Sequence, residues 1–155
     1  MIVEIFNRIF LKIKIYLHKF VNRSLYKKGV ELHGVPKIIY REKIELQEHV
    51  KINQNVFMHG AGGIEIKKNT TLSYGTTILS TGYETQQWMS STERTHTEEK
   101  IVIGKNVWVG ANVTILQGVQ IADNVIIGAG SVVNKSLLVP GHLYAGVPAK
   151  KIKKL

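Results

Sequence analysis

The chain has 155 residues, enough for one domain, and it contains no cysteine. The lack of cysteine excludes disulfide bonds, thiolate metal ligands and a cysteine nucleophile. With 21 Lys and Arg against 11 Asp and Glu, the formal net charge is +10, which favours an anionic partner such as a phosphorylated cofactor, an acidic sugar polymer or a membrane surface. No nucleic-acid-binding motif accompanies this charge, so nucleic acid is not an expected partner.

Residues 2–23 are predicted to form an amphipathic helix, within an N-terminal segment 1–28 that precedes the main domain, 29–155. Basic residues share one face, and apolar residues recur at a spacing of about 3.6. The apolar positions are Ile2, Ile5, Phe6, Ile9, Ile13, Tyr16, Leu17 and Phe20. Two compatible interpretations stay open: the helix caps the open end of the domain, or residues 1–23 contact an anionic membrane. Because charges interrupt every apolar run, we expect neither a cleaved signal peptide nor a membrane-spanning helix. We expect a cytoplasmic protein, and any membrane association would be peripheral, at the inner face of the cell membrane.

A six-residue period begins in the region 30–83 and becomes regular from Ile103 to Leu138. An aliphatic residue leads each hexad, and a small or aliphatic residue usually follows four positions later. The lead residues are Leu46, Ile52, Met58, Ile66, Leu72, Ile78, Ile103, Val109, Ile115, Ile121, Ile127 and Val133. A period of six matches neither a helix nor simple strand alternation. It predicts short strands that turn a corner after each hexad and stack from coil to coil, as in an all-β parallel β-helix.

The period is interrupted at two places. Two extra residues in the glycine-rich stretch 60–63 predict a bulged corner with positive φ, since no strand-to-helix change follows that would suit a phosphate loop. The polar, irregular stretch 84–96 predicts a loop that protrudes from the coils. Function in a solenoid usually lies in such excursions, because the coils supply only a rigid frame.

The regular hexads carry a resemblance to a known family. Residues 103–116 read IGKNVWVGANVTIL, and IGAGSVV at 127–133 and AGVPAK at 145–150 follow. These segments closely resemble the hexapeptide-repeat acetyltransferases, in the branch that holds the maltose and galactoside acetyltransferases and the O-acetyltransferases of capsule, O-antigen and exopolysaccharide synthesis. The resemblance covers about residues 50–152. It implies a left-handed β-helix, a homotrimer, and acetyl-CoA bound in the cleft between neighbouring subunits, with a sugar or glycan as acceptor and no metal.

The resemblance also implies a general-base histidine that takes a proton from an acceptor hydroxyl, which then attacks the thioester directly. The family usually carries this histidine in a stretch that corresponds to 80–84, where this chain has Tyr83 and Glu84 instead. His96, at the far end of the loop, is the first candidate for the base, and His59 is the second. Glu84 is a candidate for orienting the imidazole.

The expected acetyl-CoA site follows from the same resemblance. Trp108 corresponds to the tryptophan that lines the thioester end of the cleft, and the amide of Ala111 corresponds to the donor that steadies the oxyanion. Small residues would let the pantetheine arm lie against bare backbone, although tight corners alone would also select them. These small residues are Gly110, Ala111, Gly128 and Ala129. The lysines placed to meet the nucleotide phosphates are Lys135, Lys150 and Lys151.

Three other functions compete with sugar O-acetylation. A streptogramin- or chloramphenicol-type acetyltransferase, acting on a xenobiotic, shares the same motifs. A catalytically inactive trimer that binds acetyl-CoA as a scaffold is the second alternative, because the usual histidine is missing. A γ-type carbonic anhydrase is disfavoured, since it needs three converging histidines and the nearest suitable pair, His49 and His59, is ten residues apart. The identity of the acceptor and the length of the donor acyl group are not predicted.

Overall fold

A computed structural model describes residues 2–26, 29–86, 88–90 and 92–155. Met1, Lys27, Lys28, Gln87 and Ser91 lie outside the described residues, so the predicted segments 1–28 and 84–96 are described only in part. The helix α1 spans Ile2–Val21, and short strands make up most of the rest. In chain order the strands are β1 (Glu31–Leu32), β2 (Lys37–Ile39), β3 (Ile44–Leu46), β4 (Lys51–Ile52), β5 (Phe57–His59), β6 (Ile64–Ile66), β7 (Thr71–Leu72), β8 (Thr77–Leu79), β9 (Thr81–Tyr83), β10 (His96–Glu98), β11 (Ile101–Ile103), β12 (Trp108–Val109), β13 (Thr114–Ile115), β14 (Gln120–Ile121), β15 (Ile126–Ile127), β16 (Val132–Val133), β17 (His142–Ala145) and β18 (Lys150–Lys154).

The strands form a parallel β-solenoid of about six turns, which confirms the predicted architecture. Face 1 has the order β1-β4-β7-β12-β15-β17-β18, and all its neighbours pair in parallel except the antiparallel pair β17 and β18. Face 2 has the parallel order β2-β5-β8-β13-β16, and face 3 the parallel order β3-β6-β11-β14. The chain passes from face 1 to face 2 at the first corner, from face 2 to face 3 at the second, and back to face 1 at the third.

The predicted lead residues of the hexads form the core. All twelve are at most 5% exposed. On face 1, for example, Leu72 stacks on Val109 and Val109 on Ile127, each pair in register between neighbouring strands. Burying one such aliphatic side chain contributes about 1.5–3 kcal/mol, so the stacked rows supply the main stabilisation of the coils.

Left-handed backbone at a fixed hexad position turns the coils. Residues six apart adopt φ values between +53° and +74°. These residues are Asn106, Asn112, Gly118, Asn124 and Gly130. Gly and Asn adopt this conformation at least cost, which explains why they occupy these positions. Each corner is also tied to the next coil, as when the amide of Gly130 donates to the Ala111 carbonyl at 2.8 Å.

The glycine-rich stretch 60–63 forms the predicted bulge, but only Gly63 has a positive φ, at +92°. Gly62 is small for a different reason. A Cβ at Gly62 would lie 2.5 Å from the Glu99 amide nitrogen and 2.5 Å from the Ser80 carbonyl oxygen. The backbone on either side of the loop excursion therefore passes directly over Gly62.

The helix α1 contacts the first coil through a narrow face. Ile15 packs against the solenoid core, the His18 imidazole and the Tyr26 hydroxyl share a hydrogen bond of 2.7 Å, and Lys19 Nζ donates to the Val30 carbonyl at 2.6 Å. Burial lowers the pKa of His18 and raises the pKa of Tyr26, so both groups are neutral in this contact near neutral pH. No helix in the described part of the chain is long and apolar enough to cross a membrane.

Candidate active site

The predicted excursion is a β-hairpin that leaves the second corner between β8 and β11. Its strands β9 and β10 pair antiparallel, with His96 opposite Tyr83 and Thr97 opposite Gly82. On the loop side of this ladder, one residue beyond the His96–Tyr83 pair, the Glu84 amide donates to the Thr95 carbonyl at 2.9 Å. A regular ladder therefore fixes both ends of the loop to the solenoid frame.

The ladder brings the His96 imidazole beside the Tyr83 ring. The two ring centroids lie 4.3 Å apart, with an angle of 33° between the ring planes. Tyr83 belongs to the stretch 80–84, where the resemblance expects the catalytic histidine. The side chain of His96 is exposed. The arrangement is the one that the His96 hypothesis requires, and the role of His96 as a base stays a prediction.

Two polar side chains fasten the hairpin to the next coil. Gln117, at the second corner, donates from Nε2 to Thr97 Oγ1 at 2.7 Å, and its Oε1 lies 3.1 Å from the same hydroxyl. A Cβ on Gly82 would lie 2.9 Å from Gln117 Nε2, so the glycine leaves room for this contact. Sequence reasoning missed Gln117 because equivalent corner positions carry residues as different as lysine, alanine and aspartate.

An aromatic row continues from the hairpin into the loop. The centroids of Tyr83 and Trp88 are 6.1 Å apart in an edge-to-face arrangement, and the Arg94 guanidinium carbon lies 3.9 Å from the Trp88 ring centroid. Tyr83 is 47% and Trp88 43% exposed. We call the side chains of His96, Tyr83 and Trp88 the aromatic row; it presents a large, stiff, partly apolar surface next to the candidate base.

The other two predicted catalytic residues have different surroundings. Glu84 Oε1 accepts a hydrogen bond from the Gln86 amide at 2.8 Å, so its carboxylate shapes the start of the loop. Within the described residues Glu84 has no contact with an imidazole, and its orienting role stays a prediction. His59 ends β5 at the second corner, one coil before the hairpin. Its ring packs against Tyr40, with centroids 5.2 Å apart, and its buried Nδ1 has no hydrogen-bond partner among the residues that the structure describes. The residue as a whole is half-exposed, and the role of His59 as the second candidate for the base stays a prediction.

The predicted small residues stack along the first corner in successive coils. A Cβ on Gly110 would lie 2.7 Å from the amide nitrogen of Ala129, and a Cβ on Gly128 would lie 2.9 Å from the Cβ of Ala145. Close stacking of coils thus explains both glycines and also leaves a strip of bare backbone. In the described residues the Ala111 amide donates no hydrogen bond, so it is available to an external acceptor.

Trp108 lies on the outer side of β12, and its side chain is 55% exposed. Its indole Nε1 donates to Ser73 Oγ at 3.0 Å, which holds the ring across face 1 towards the preceding coil. The ring borders a shallow groove of about 430 Å³. The other residues that line this groove are Asn106, Asn124, Ile126, Gly141 and Leu155.

The predicted lysines separate into two places. Lys150 and Lys151 begin β18 and pair with Ala145 and Tyr144, so they lie at the end of the first-corner strip. Lys135 follows β16 at the second corner. All three side chains are exposed.

The candidate base and the candidate cofactor residues lie at different corners of one chain. His96 and His59 are at the second corner, whereas Ala111 and its small neighbours follow the first corner, and face 2 lies between them. In one copy of the chain, the residues of the predicted site are therefore divided between two corners. Among the residues that the structure describes, no group of three His, Asp or Glu side chains is placed to hold a metal ion.

Comparison with known proteins gives consistent matches. A family model described as bacterial transferase hexapeptide, with six repeats, matches residues 100–135. The chain is 31% identical over 116 residues to galactoside O-acetyltransferase of Escherichia coli (strain K12), in an alignment that covers 75% of this chain and 56% of that protein. It is 37% identical over 118 residues to a protein of Lysinibacillus sphaericus named as a probable macrolide acetyltransferase, covering 76% of this chain and 60% of that protein.

A third relative is WbbJ of Escherichia coli (strain K12), which is named after O-acetyl transfer in lipopolysaccharide biosynthesis. It is 34% identical over 122 residues, covering 74% of this chain and 62% of that protein. The chain thus spans 56% to 62% of the length of these three relatives.

Solved structures share the fold. A maltose O-acetyltransferase from Clostridium difficile 630 superposes with a TM-score of 0.79 at 28% identity, covering 88% of this chain and 74% of that chain. A hexapeptide-repeat acetyltransferase from Vibrio cholerae O1 biovar eltor, solved in complex with acetyl coenzyme A, superposes with a TM-score of 0.72 at 27% identity, covering 86% of this chain and 74% of that chain.

Proposed function

Because this chain belongs to the hexapeptide-repeat acetyltransferase family, we propose that it is an acetyl-CoA-dependent O-acetyltransferase that acts on a sugar hydroxyl of a surface glycan or its precursor. The observation that carries this proposal is the hairpin pairing of His96 with Tyr83, which returns an exposed imidazole to the stretch 80–84. Without it, the chain would lack the histidine that the family's chemistry requires.

The proposed mechanism is direct transfer. The neutral imidazole of His96 takes the proton of the acceptor hydroxyl as its oxygen bonds to the thioester carbonyl carbon. The free amide of Ala111 donates to the oxyanion that develops on the carbonyl oxygen. The carbon–sulfur bond then breaks, and the imidazolium returns its proton to the departing sulfur. No covalent enzyme intermediate is needed, which suits a chain without cysteine.

We propose that neighbouring copies in a homotrimer complete the site. The support is the separation of the two sets of residues, since His96 lies at the second corner and Ala111 at the first. A neighbour that presents its second corner to this chain's first corner would bring them together. In that arrangement Trp108 borders the thioester end, and the strip formed by Gly110, Gly128 and Ala129 receives the pantetheine arm. Lys150 and Lys151 lie at the strip's far end, where nucleotide phosphates would be held.

The aromatic row supports a sugar as the acceptor. Partly exposed rings such as Tyr83 and Trp88 offer flat contact area to the apolar faces of a sugar ring at little entropic cost. The Arg94 guanidinium, stacked on Trp88, extends this flat surface. We place the reaction in the cytoplasm, at the inner face of the cell membrane, where lipid-carried glycan precursors are available.

A xenobiotic acceptor is the second candidate, favoured by the 37% identity to the relative named for macrolide acetylation. A thioester-release assay with acetyl-CoA distinguishes the two. Simple sugars, acidic glycan fragments, a macrolide and chloramphenicol are compared as acceptors, with and without the full-length protein. We expect release of CoA with a sugar or glycan fragment only. Turnover confined to the macrolide or chloramphenicol would replace the proposal by the second candidate. Acetyl-CoA binding without turnover on any acceptor would support an inactive scaffold instead.

A further inference from the structure

The helix α1 exposes a continuous apolar surface. Ten of its large apolar side chains are 50% to 72% exposed. They are Val3, Ile5, Phe6, Ile9, Phe10, Ile13, Tyr16, Leu17, Phe20 and Val21. At about 100° per residue they occupy one unbroken arc of about 160°, which we call the helix arc. A patch of this extent on a soluble protein indicates a binding surface.

The helix arc is separate from the face that attaches the helix to the solenoid. Attachment uses Ile15, His18 and Lys19, which contact the core, Tyr26 and the Val30 carbonyl. These three residues lie on the opposite side of the helix, outside the arc. The helix therefore contacts the first coil through residues outside the helix arc. The apolar side chains of the arc remain exposed to another partner.

Basic residues border the helix arc on both edges. Lys12 lies at one edge, with Arg8 beyond it, and Lys14 lies at the other. Lys14 Nζ is 4.3 Å from the Phe10 ring centroid, so its stem follows the apolar surface while its charge stays at the rim. Between residues 2 and 23 there are five Lys and Arg against one acid, Glu4, whose carboxylate lies 3.6 Å from Arg8, outside the arc.

We propose that the helix arc inserts into the headgroup region of an anionic phospholipid bilayer, with the helix parallel to the surface. A bilayer of this kind binds a wide apolar arc that is bordered by cations. The apolar side chains pack among the acyl chains, and the lysines pair with the anionic headgroups. Lys12 and Lys14, near the middle of the helix, oppose a spanning orientation. Binding to an anionic bilayer does not depend on the proposed function. Only the choice of membrane, the inner face of the cell membrane, rests on the proposed function.

Charge argues against a second copy of this chain as the occupant. A symmetric pairing of two helix arcs would place the Lys12 and Lys14 edges of one copy beside those of the other, and like charges at such distance repel. The chain as a whole has 21 basic residues against 11 acidic ones, so it offers no surplus of acids to neutralise these edges. An anionic lipid surface supplies the opposite charge.

Vesicle sedimentation with the full-length protein tests the inference without acetyl-CoA or an acceptor. Vesicles of phosphatidylglycerol are compared with vesicles of phosphatidylcholine. The test variant is Phe6→Gln with Ile13→Gln, at the centre of the helix arc. The matched control is Leu138→Gln with Ile152→Gln, which removes two exposed apolar side chains elsewhere. Because all four side chains are exposed, circular dichroism should show the same fold for both variants.

We expect the wild type to sediment with phosphatidylglycerol vesicles and much less with phosphatidylcholine vesicles. The control variant should bind phosphatidylglycerol vesicles as the wild type does, and the arc variant should bind them at least about tenfold more weakly than the wild type. Equal binding by the arc variant, or no binding by the wild type, would overturn the inference. A drop in oligomer mass for the arc variant in light scattering without vesicles would assign the arc to a second copy instead. Thioester release by the wild type with a soluble acceptor is measured in parallel, so that intact turnover by a wild type that does not bind vesicles contradicts the membrane contact and leaves the proposed function standing.

Discussion

At the scale of single residues, the corner positions show how one side chain sets the backbone. Asn69 has a φ of +59°, and its side chain is exposed. Left-handed backbone costs most L-residues roughly 1–2 kcal/mol, whereas Asn tolerates it through local hydrogen bonding and Gly adopts it freely. Asn and Gly recur every six residues because each coil turns a corner at the same hexad position. This recurrence can be recognised in the sequence once the position of the corner is known.

Replacing Asn69 tests this explanation. We predict that Asn69→Ala lowers the free energy of unfolding by about 1 kcal/mol, because alanine has no means of relieving the left-handed conformation. Asn69→Gly is the matched control and should leave stability within a few tenths of a kcal/mol. Urea denaturation followed by circular dichroism measures both. Equal stability of the alanine and glycine variants would mean that φ does not limit this corner.

The candidate catalytic residues were only partly predictable at this scale. His96 could be selected from the sequence because it closes the loop excursion, but its partner across the ladder, Tyr83, depends on a hairpin register that no periodicity encodes. The same holds for Gln117, whose contact with Thr97 joins residues 20 positions apart. Which residues meet in a long-range polar contact is set by tertiary geometry, and a single sequence carries no local signal for it.

At the scale of elements, the hairpin acts as a rigid arm for the candidate base. Thr97 follows His96 directly, so the two hydrogen bonds between Thr97 and Gln117 hold the strand that carries the imidazole. A shift of about 1 Å in a catalytic group can cost a hundredfold in rate. Gln117 is therefore a positioning residue if His96 is the base.

Substituting Gln117 tests this positioning role. We predict that Gln117→Leu lowers kcat about ten- to a hundredfold with little change in KM for acetyl-CoA, because the cofactor strip lies at another corner. Gln117→Glu keeps an acceptor for the Thr97 hydroxyl and should recover part of the rate. A rise in KM for acetyl-CoA at unchanged kcat would contradict a role in positioning the base.

The helix shows where element-level prediction stops. The apolar spacing placed a helix at 2–23, and the helix of the structure ends two residues earlier, at Val21. The broad apolar face left two compatible interpretations open, capping of the solenoid and contact with a membrane. The structure shows that a narrower face carries the attachment: Ile15 packs on the core, His18 contacts Tyr26, and Lys19 contacts the Val30 carbonyl. Only the packed structure could separate these two faces.

At the scale of the whole molecule, the solenoid was predictable because its rule repeats. Each hexad supplies one strand and one corner, so each of the twelve buried lead residues indicates the same architecture. The assembly is a different matter. His96 and Ala111 lie at different corners, and the contact between copies that we propose to bring them together has no repeating pattern in one chain. The proposed trimer therefore explains a separation that the fold alone leaves unexplained.

The most direct test of the account compares thioester release by the wild type, His96→Ala and His59→Ala, with acetyl-CoA binding measured by calorimetry for each. We predict that His96→Ala loses about 10²- to 10⁴-fold in kcat while it binds acetyl-CoA as the wild type does, and that His59→Ala keeps most of its activity. Full activity of His96→Ala, or a loss confined to His59→Ala, would contradict the assignment of His96 as the base.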